Sequence, residues 1–369
     1  MTPRVEGAVP STRRAGGPRR ASAPRFPEVD LNAIRTRPIA ERESKVGIAD
    51  LAPRPDPTRP VGQFLDLLPR QLAAEGLRRL VRALVAAHRA GRPVVAMLGG
   101  HVVKVGASPA LLALVERRVI TCLAMNGAAA IHDFELAMWG KTSETVEETL
   151  GEGAFGMAGE TAELMNAATR EGELHGRGLG EALGRALFEL EAPHRDASLL
   201  AAGYELGVPV TVHVAIGTDV LHQHPSASGR AIGDTSFRDF RRLAAVLRGL
   251  SGGVVLNLGS AVIMPEVFLK ALSVARNLGS PLTALTTANL DFMRHYRPGK
   301  NVLERPTRGI GEGIELVGHH EIMLPLLASL VLADLDAGGA GSGARTRGAA
   351  TRGAAARGRQ PAGKPARPH

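Results

Sequence analysis

The chain has 369 residues, 44% hydrophobic but only 3% aromatic, enough for a substantial core built from Leu, Val, Ile and Ala. Its formal charge of +9 sits in the ends: residues 1–26 carry +5 and residues 337–369 carry +7, leaving the middle near −3. The basic balance is therefore no argument for a nucleic-acid groove in the folded part. A single cysteine, Cys122, lies in an apolar run, which excludes an internal disulfide framework and a cysteine metal cluster. No apolar run approaches the roughly 20 residues of a membrane-spanning helix, and the N-terminus lacks an apolar signal core. The expected setting is cytoplasmic, without a membrane.

Residues 1–60, rich in Pro and Arg, predict a mostly extended or disordered arm. Leucines repeating over 62–90 predict a helix. Val94 to Leu98 reads as a buried parallel strand ending in Gly99-Gly100, and Ser108-Pro109 opens a helix over Ala110 to Arg118. Val119 to Met125 repeats the strand pattern and ends in Asn126-Gly127-Ala128-Ala129-Ala130. A charged helix over Lys141 to Leu150 and an irregular or short-helical excursion over 151–175 follow, then helices at Gly178 to Leu190 and Ser198 to Leu206. A third strand spans Val208 to Val214, with a loop at His222 to Gly229 and a helix at Asp234 to Leu250. The fourth strand is Gly253 to Leu258 with its helix at Pro265 to Leu278, and the fifth lies near Leu282 to Thr287. A long polar connection from Asp291 to Glu315 leads to a final strand at Ile314 to Val317 and a helix at Ile322 to Leu335. The fold class is α/β: one doubly wound, mostly parallel sheet over residues 61–336 with helices on both faces, and a disordered basic tail at 337–369.

Strand ends of a parallel sheet share one edge, where ligands collect. Five of them here offer Gly99-Gly100-His101, Asn126 to Asp133, Gly217-Thr218-Asp219, Gly259-Ser260-Ala261 and Gly318-His319-His320-Glu321. Glycines allow the close backbone approach that a dinucleotide needs, and Asp133 and Asp219 are the acids available for ribose hydroxyls. His101, His132, His222, His224, His319 and His320 gather at the same ends, suited either to a divalent metal or to proton transfer in a substrate pocket. Lys104, Lys141 and Lys300 are candidate amine nucleophiles. Lys141, in Trp139-Gly140-Lys141, also reads as a surface lysine beside a core tryptophan.

These turns resemble those of the deoxyhypusine synthase family. Met125 to Asp133 is similar to that family's Thr-Ala-Gly-Gly-Val-Glu-Glu turn, and Val208 to Asp219 to its Pro-Ala-x-Thr-Asp-Gly strand end. Leu258 to Val262 is similar to its Gly-Gly-Gly-Val turn, and His319 to Leu327 to its closing helix. The resemblance runs over about 62–335 and implies a Rossmann-type NAD-binding fold, oxidation of the polyamine spermidine or a related small amine, aminoalkyl transfer through a lysine imine, and a homotetramer. By that resemblance Ala128, Ala129, Asp133, Asp219, Gly259, Ser260 and His319 would line NAD, and the strand-end turns add Gly99, Gly100, Asn126 and Gly127 to the same expected site. Asp133, His222, His224, Glu266 and Glu321 would hold ammonium groups or move protons. The chain departs from the family where the imine lysine is expected: that region reads Arg305 to Gly313 without Trp-Gly-Lys. Pro265-Glu266 replaces the histidine after the glycine turn, and His319 replaces an acid. A metal-assisted hydrolase and a non-catalytic ligand-binding member of the fold are the alternatives.

Overall fold

The computed structural model describes residues 60–337 apart from Glu152, and carries the backbone of the last helix on to Arg352. The expected N-terminal arm and the end of the basic tail lie outside the described residues. Six strands, β1 (Val94–Leu98), β2 (Cys122–Asn126), β3 (Val210–His213), β4 (Val254–Leu258), β5 (Leu285–Asp291) and β6 (Gly311–Val317), form one sheet in the order β3-β2-β1-β4-β5-β6. Every pairing is parallel. The order reverses between β1 and β4, which pair Leu98 with Leu258.

Around the sheet lie α1 (Leu72–Arg89), α2 (Gly100–Lys104), α3 (Ser108–Glu116), α4 (Gly127–Trp139), α5 (Val146–Thr149), α6 (Gly159–Leu174), α7 (Leu179–Glu189), α8 (Leu199–Leu206), α9 (Gly229–Leu247), α10 (Ile263–Asn277), α11 (Tyr296–Pro298) and α12 (His320–Arg352). The continuous apolar runs are explained by burial on both faces: all five residues of β1 and of β4 are buried. Alternation then divides the core. Val94, Ala96 and Leu98 pack with residues of α1, α3, α4, α7, α8 and α12, whereas Val95 and Met97 pack with α9 and α10. Cys122 belongs to the second core, where burial pushes its thiol up to about 12 and leaves it unreactive.

The expected helix over 62–90 is divided: a 3-10 turn at Val61–Leu67 precedes α1, and Arg78 caps the join by donating to the carbonyls of Leu65, Leu68 and Pro69. The expected charged helix at Lys141 to Leu150 shrinks to α5, because Ser143 adopts a positive φ of 68°. The irregular or short-helical stretch expected before residue 175 holds a longer helix, the sixteen-residue α6. The fifth strand starts later than expected, after Leu282 and Ala284 turn at positive φ. The long polar connection contains α11 and a π-helical turn at Gly299–Glu304.

Candidate functional site

Parallel pairing puts all six strand ends on one edge, and the small residues there let consecutive turns touch. A Cβ on Gly99 would lie 2.1 Å from the Gly259 carbonyl oxygen, and one on Gly100 would lie 3.0 Å from the Ala128 Cβ. One on Gly127 would lie 1.9 Å from Asp219 Oδ2, and one on Gly259 3.0 Å from the His320 ring. The turns after β3, β2, β1, β4 and β6 thus form a contiguous ridge centred on the point where strand order reverses, the position at which doubly wound sheets take ligands.

Beside this ridge, over the β1–β3 half, opens a cleft of about 680 Å³. Lys104 from α2, His132, Glu135 and Trp139 from α4, Lys141 and Asp219 line it. Asp219 is 8% exposed, and its Oδ2 is buried without a hydrogen-bond partner. Burial pushes its carboxyl up to about 6, against a weaker lowering by the Thr218 hydroxyl. Asp219 thus lines the cleft with its unpartnered oxygen enclosed beside Gly127. His222 sits behind it, with Nδ1 accepting from the amides of Gly217 and Asp219 at 3.1 and 3.4 Å.

On α4, His132 and Glu135 are three residues apart and share a face. Thr142, in the extended segment after the helix, folds back between them. Its hydroxyl donates to Glu135 Oε2 at 2.5 Å and contacts His132 Nδ1 at 2.8 Å, while the Thr161 hydroxyl of α6 donates to Glu135 Oε1 at 3.0 Å. Burial holds the His132 pKa below the usual range; Glu135 opposes that shift and Lys104 adds to it. Glu135 and Thr161 were missed in the sequence, and the three-residue spacing from His132 was the only signal for Glu135.

Several expected site residues are committed elsewhere. Asp133 is fully buried and faces α8: it accepts from the Ser198 hydroxyl at 2.5 Å and from the amides of Leu199 and Leu200 at 2.8 and 3.0 Å. These bonds complement the N-terminus of α8, so the expectation that Asp133 binds a ligand is corrected. Asp133→Ala, which orphans those donors, should lower unfolding free energy by about 2 kcal/mol, read as a denaturant midpoint.

Asn126 caps α4 by accepting from the Ala129 amide at 2.9 Å, and the Ala129 methyl is buried in the core. Ala129 is thereby corrected from cleft lining to core, whereas Ala128 does line the cleft. Ser260 accepts from the Met264 amide at 3.2 Å, so its hydroxyl secures the start of α10. Glu266 pairs with Lys270 and with Arg297 and accepts from Asn301 at 2.8 Å, with the Lys270 contact holding its pKa low. That network pins α10 to the segment after β5, which corrects the expectation of a proton carrier.

His224 contacts the Gly156 carbonyl at 2.8 Å and secures the loop before α6. Lys300 pairs with Glu304. His319 and Glu321 lie exposed beyond β6, 3.7 Å apart, where Phe292 stacks on the His319 ring at 6.5 Å. The expected histidine cluster is thus divided between the two halves of the edge. Among the described residues, no group of three or more His, Cys, Asp or Glu side chains is placed to hold a metal ion, which removes the ligand set of the hydrolase alternative.

The fold and this edge define an α/β protein of Rossmann-type strand order with a cleft beside its switch point. No family model and no curated protein matches the chain. Solved structures do. An arginine dihydrolase from the ornithine–ammonia cycle in cyanobacteria, ArgZ, matches with a TM-score of 0.44 and 16% identity over 69% of this chain and 31% of its own. A putative LOR/SDH protein from Methanococcus maripaludis S2 matches at 0.44 and 14%, over 76% of this chain and 73% of its own. A putative deoxyhypusine synthase from Entamoeba histolytica matches at 0.43 and 11%, over 71% and 88%. The chain spans about a third of the arginine dihydrolase, and a deoxyhypusine-synthase-like fold is among those it resembles. No residue role passes from these proteins to this one. No helix among the described residues is long and apolar enough to cross a membrane.

Proposed function

We propose that the chain is a nicotinamide-dinucleotide-dependent enzyme, of deoxyhypusine-synthase type, that oxidises a polyamine or related small amine. The observation that supports this most is the ridge of touching turns at the reversal of strand order, with Gly99 against Gly259. The glycines let those turns pack against one another, and the cleft of about 680 Å³ opens beside them, at the edge where doubly wound sheets take dinucleotides. The residues present fit the group: Asp219 lines the cleft and keeps one carboxylate oxygen, enclosed beside Gly127, without a hydrogen-bond partner, so that a small turn of the side chain offers an acceptor to a ribose hydroxyl. When bound, the nicotinamide supplies a hydride acceptor.

The remaining work belongs to side chains of the cleft. Glu144 and Glu160 provide carboxylates for ammonium groups. Lys104 and Lys141 line the same space and are the two amines available for imine formation and aminoalkyl transfer, whereas Lys300 is occupied by Glu304. Borohydride added during turnover of spermidine should attach an aminoalkyl mass to Lys104 or Lys141; a label confined to other lysines counts against transfer within the cleft. A homotetramer belongs to the same proposal.

The direct test is a thermal shift with NAD. Wild-type protein should be stabilised, and Asp219→Asn should weaken NAD about tenfold by removing one charged hydrogen bond. No shift at millimolar NAD in the wild type contradicts the reading.

A further inference from the structure

We infer that His132 is the proton acceptor of the cleft, presenting a bare Nε2 whose orientation Glu135 fixes through Thr142. The tautomer follows from a count of protons. The Thr142 hydroxyl has one, and it is donated to Glu135 Oε2 at 2.5 Å. An ionised carboxylate only accepts, and the other oxygen of Glu135 already takes the Thr161 proton at 3.0 Å. The 2.8 Å contact between Thr142 and His132 must then be Nδ1–H donating to the hydroxyl oxygen. A neutral imidazole protonated at Nδ1 carries its lone pair on Nε2.

That nitrogen has no hydrogen-bond partner among the described residues, and the ring lines the cleft with its side chain 18% exposed. The surroundings favour the neutral ring: burial and the Lys104 ammonium of α2 outweigh Glu135. The arrangement follows the logic of a catalytic triad, in which an acid orients an imidazole so that its outer nitrogen can take a proton. Here a threonine hydroxyl stands between the two. Glu135 and Thr142 are positioning residues.

In the oxidation of an amine, a hydride leaves the carbon next to nitrogen for the nicotinamide and the N–H proton passes to His132 Nε2. A C=N bond forms, the substrate loses two electrons, the dinucleotide gains them, and the imidazolium then yields its proton to solvent. This step rests on the dinucleotide reading above; the tautomer does not.

The experiment uses the full chain with ¹⁵N-labelled histidine and long-range ¹H–¹⁵N correlation, the His132 signals being assigned by their loss in His132→Gln. The expected wild-type pattern at neutral pH is a protonated Nδ1 and an unprotonated Nε2. Glu135→Gln turns the chain of donors around and should move His132 to the Nε2–H tautomer, while Thr142→Val should leave a mixture. A wild-type Nε2–H tautomer, or a ratio that neither variant changes, overturns the inference. With NAD and spermidine, His132→Gln should lose about a hundredfold in kcat while NAD affinity stays as in the wild type; equal kcat overturns it. If the wild type neither binds NAD nor oxidises spermidine, the dinucleotide reading fails and the tautomer pattern alone decides the role of His132.

Discussion

Gly99→Ala should destabilise the protein by about 3 kcal/mol or more and abolish NAD binding with it. The alanine Cβ would stand 2.1 Å from the Gly259 oxygen and 2.7 Å from its carbonyl carbon. Both are backbone atoms, so no rotamer change relieves the clash. The two turns are also tied: the Gly99 amide donates to the Leu258 carbonyl at 2.9 Å, continuing the ladder that pairs Leu98 with Leu258. Making room therefore separates β1 from β4 at the switch point, an overpacking cost in the upper range for a single methyl. Gly249→Ala is the control, since its Cβ meets nothing closer than 3.6 Å. Denaturant midpoints for the two variants should differ; equal midpoints would mean that the turns are not in contact.

Asp239 carries the most strongly raised carboxyl, above Asp133 and Asp219. It is fully buried on α9, accepts from the amides of Gly180 and Val212 at 2.9 and 2.8 Å, and leaves Oδ1 without a partner. Burial pushes its carboxyl from 3.8 up to about 7, against a lowering by the two amides. Between those values the native state keeps a proton that the unfolded chain has released. Stability from this group is accordingly present near pH 4 and falls as pH rises to about 7, beyond which the loss is complete.

Asp239→Asn removes the titration while its carbonyl oxygen still accepts both amides. At pH 8 the variant should be more stable than the wild type by up to about 4 kcal/mol, and the difference should vanish near pH 4. Asp133, raised to about 6, slopes the same way, and His213, lowered to about 4 by burial, slopes oppositely over its own window. Neither hydrogen-bonds Asp239, so both cancel in the comparison. A difference that does not change with pH would show that Asp239 is ionised throughout.

The sheet was legible because a strand buried on both faces is mostly apolar, as Val94 to Leu98 is throughout and Val254 to Leu258 is apart from Asn257. Their small-residue ends were equally visible. Helix α6 was not: its buried face mixes Thr161, Ala162, Asn166 and Thr169 with Met165, so the apolar period is weak. Strand order was also hidden, since crossovers leave no local trace. For the site, the turns were readable but side-chain direction was not. Asp133 and Asp219 look alike in sequence, yet one stabilises α8 and the other faces the cleft, a distinction made by the position of Ser198 sixty-five residues away. Lys141 is exposed and Trp139 half-buried against the core, and both line the cleft.

Trp139 is the only tryptophan of the chain and lines the cleft, so its emission reads occupancy of the edge directly. Titration of the full-length protein with NADH should quench Trp139 saturably, with matching energy transfer to the reduced nicotinamide, and Asp219→Ala should shift that curve to at least tenfold higher concentration. Unchanged Trp139 emission up to millimolar NADH, or an identical curve in Asp219→Ala, would contradict a dinucleotide at the ridge formed by Gly99, Gly127 and Gly259.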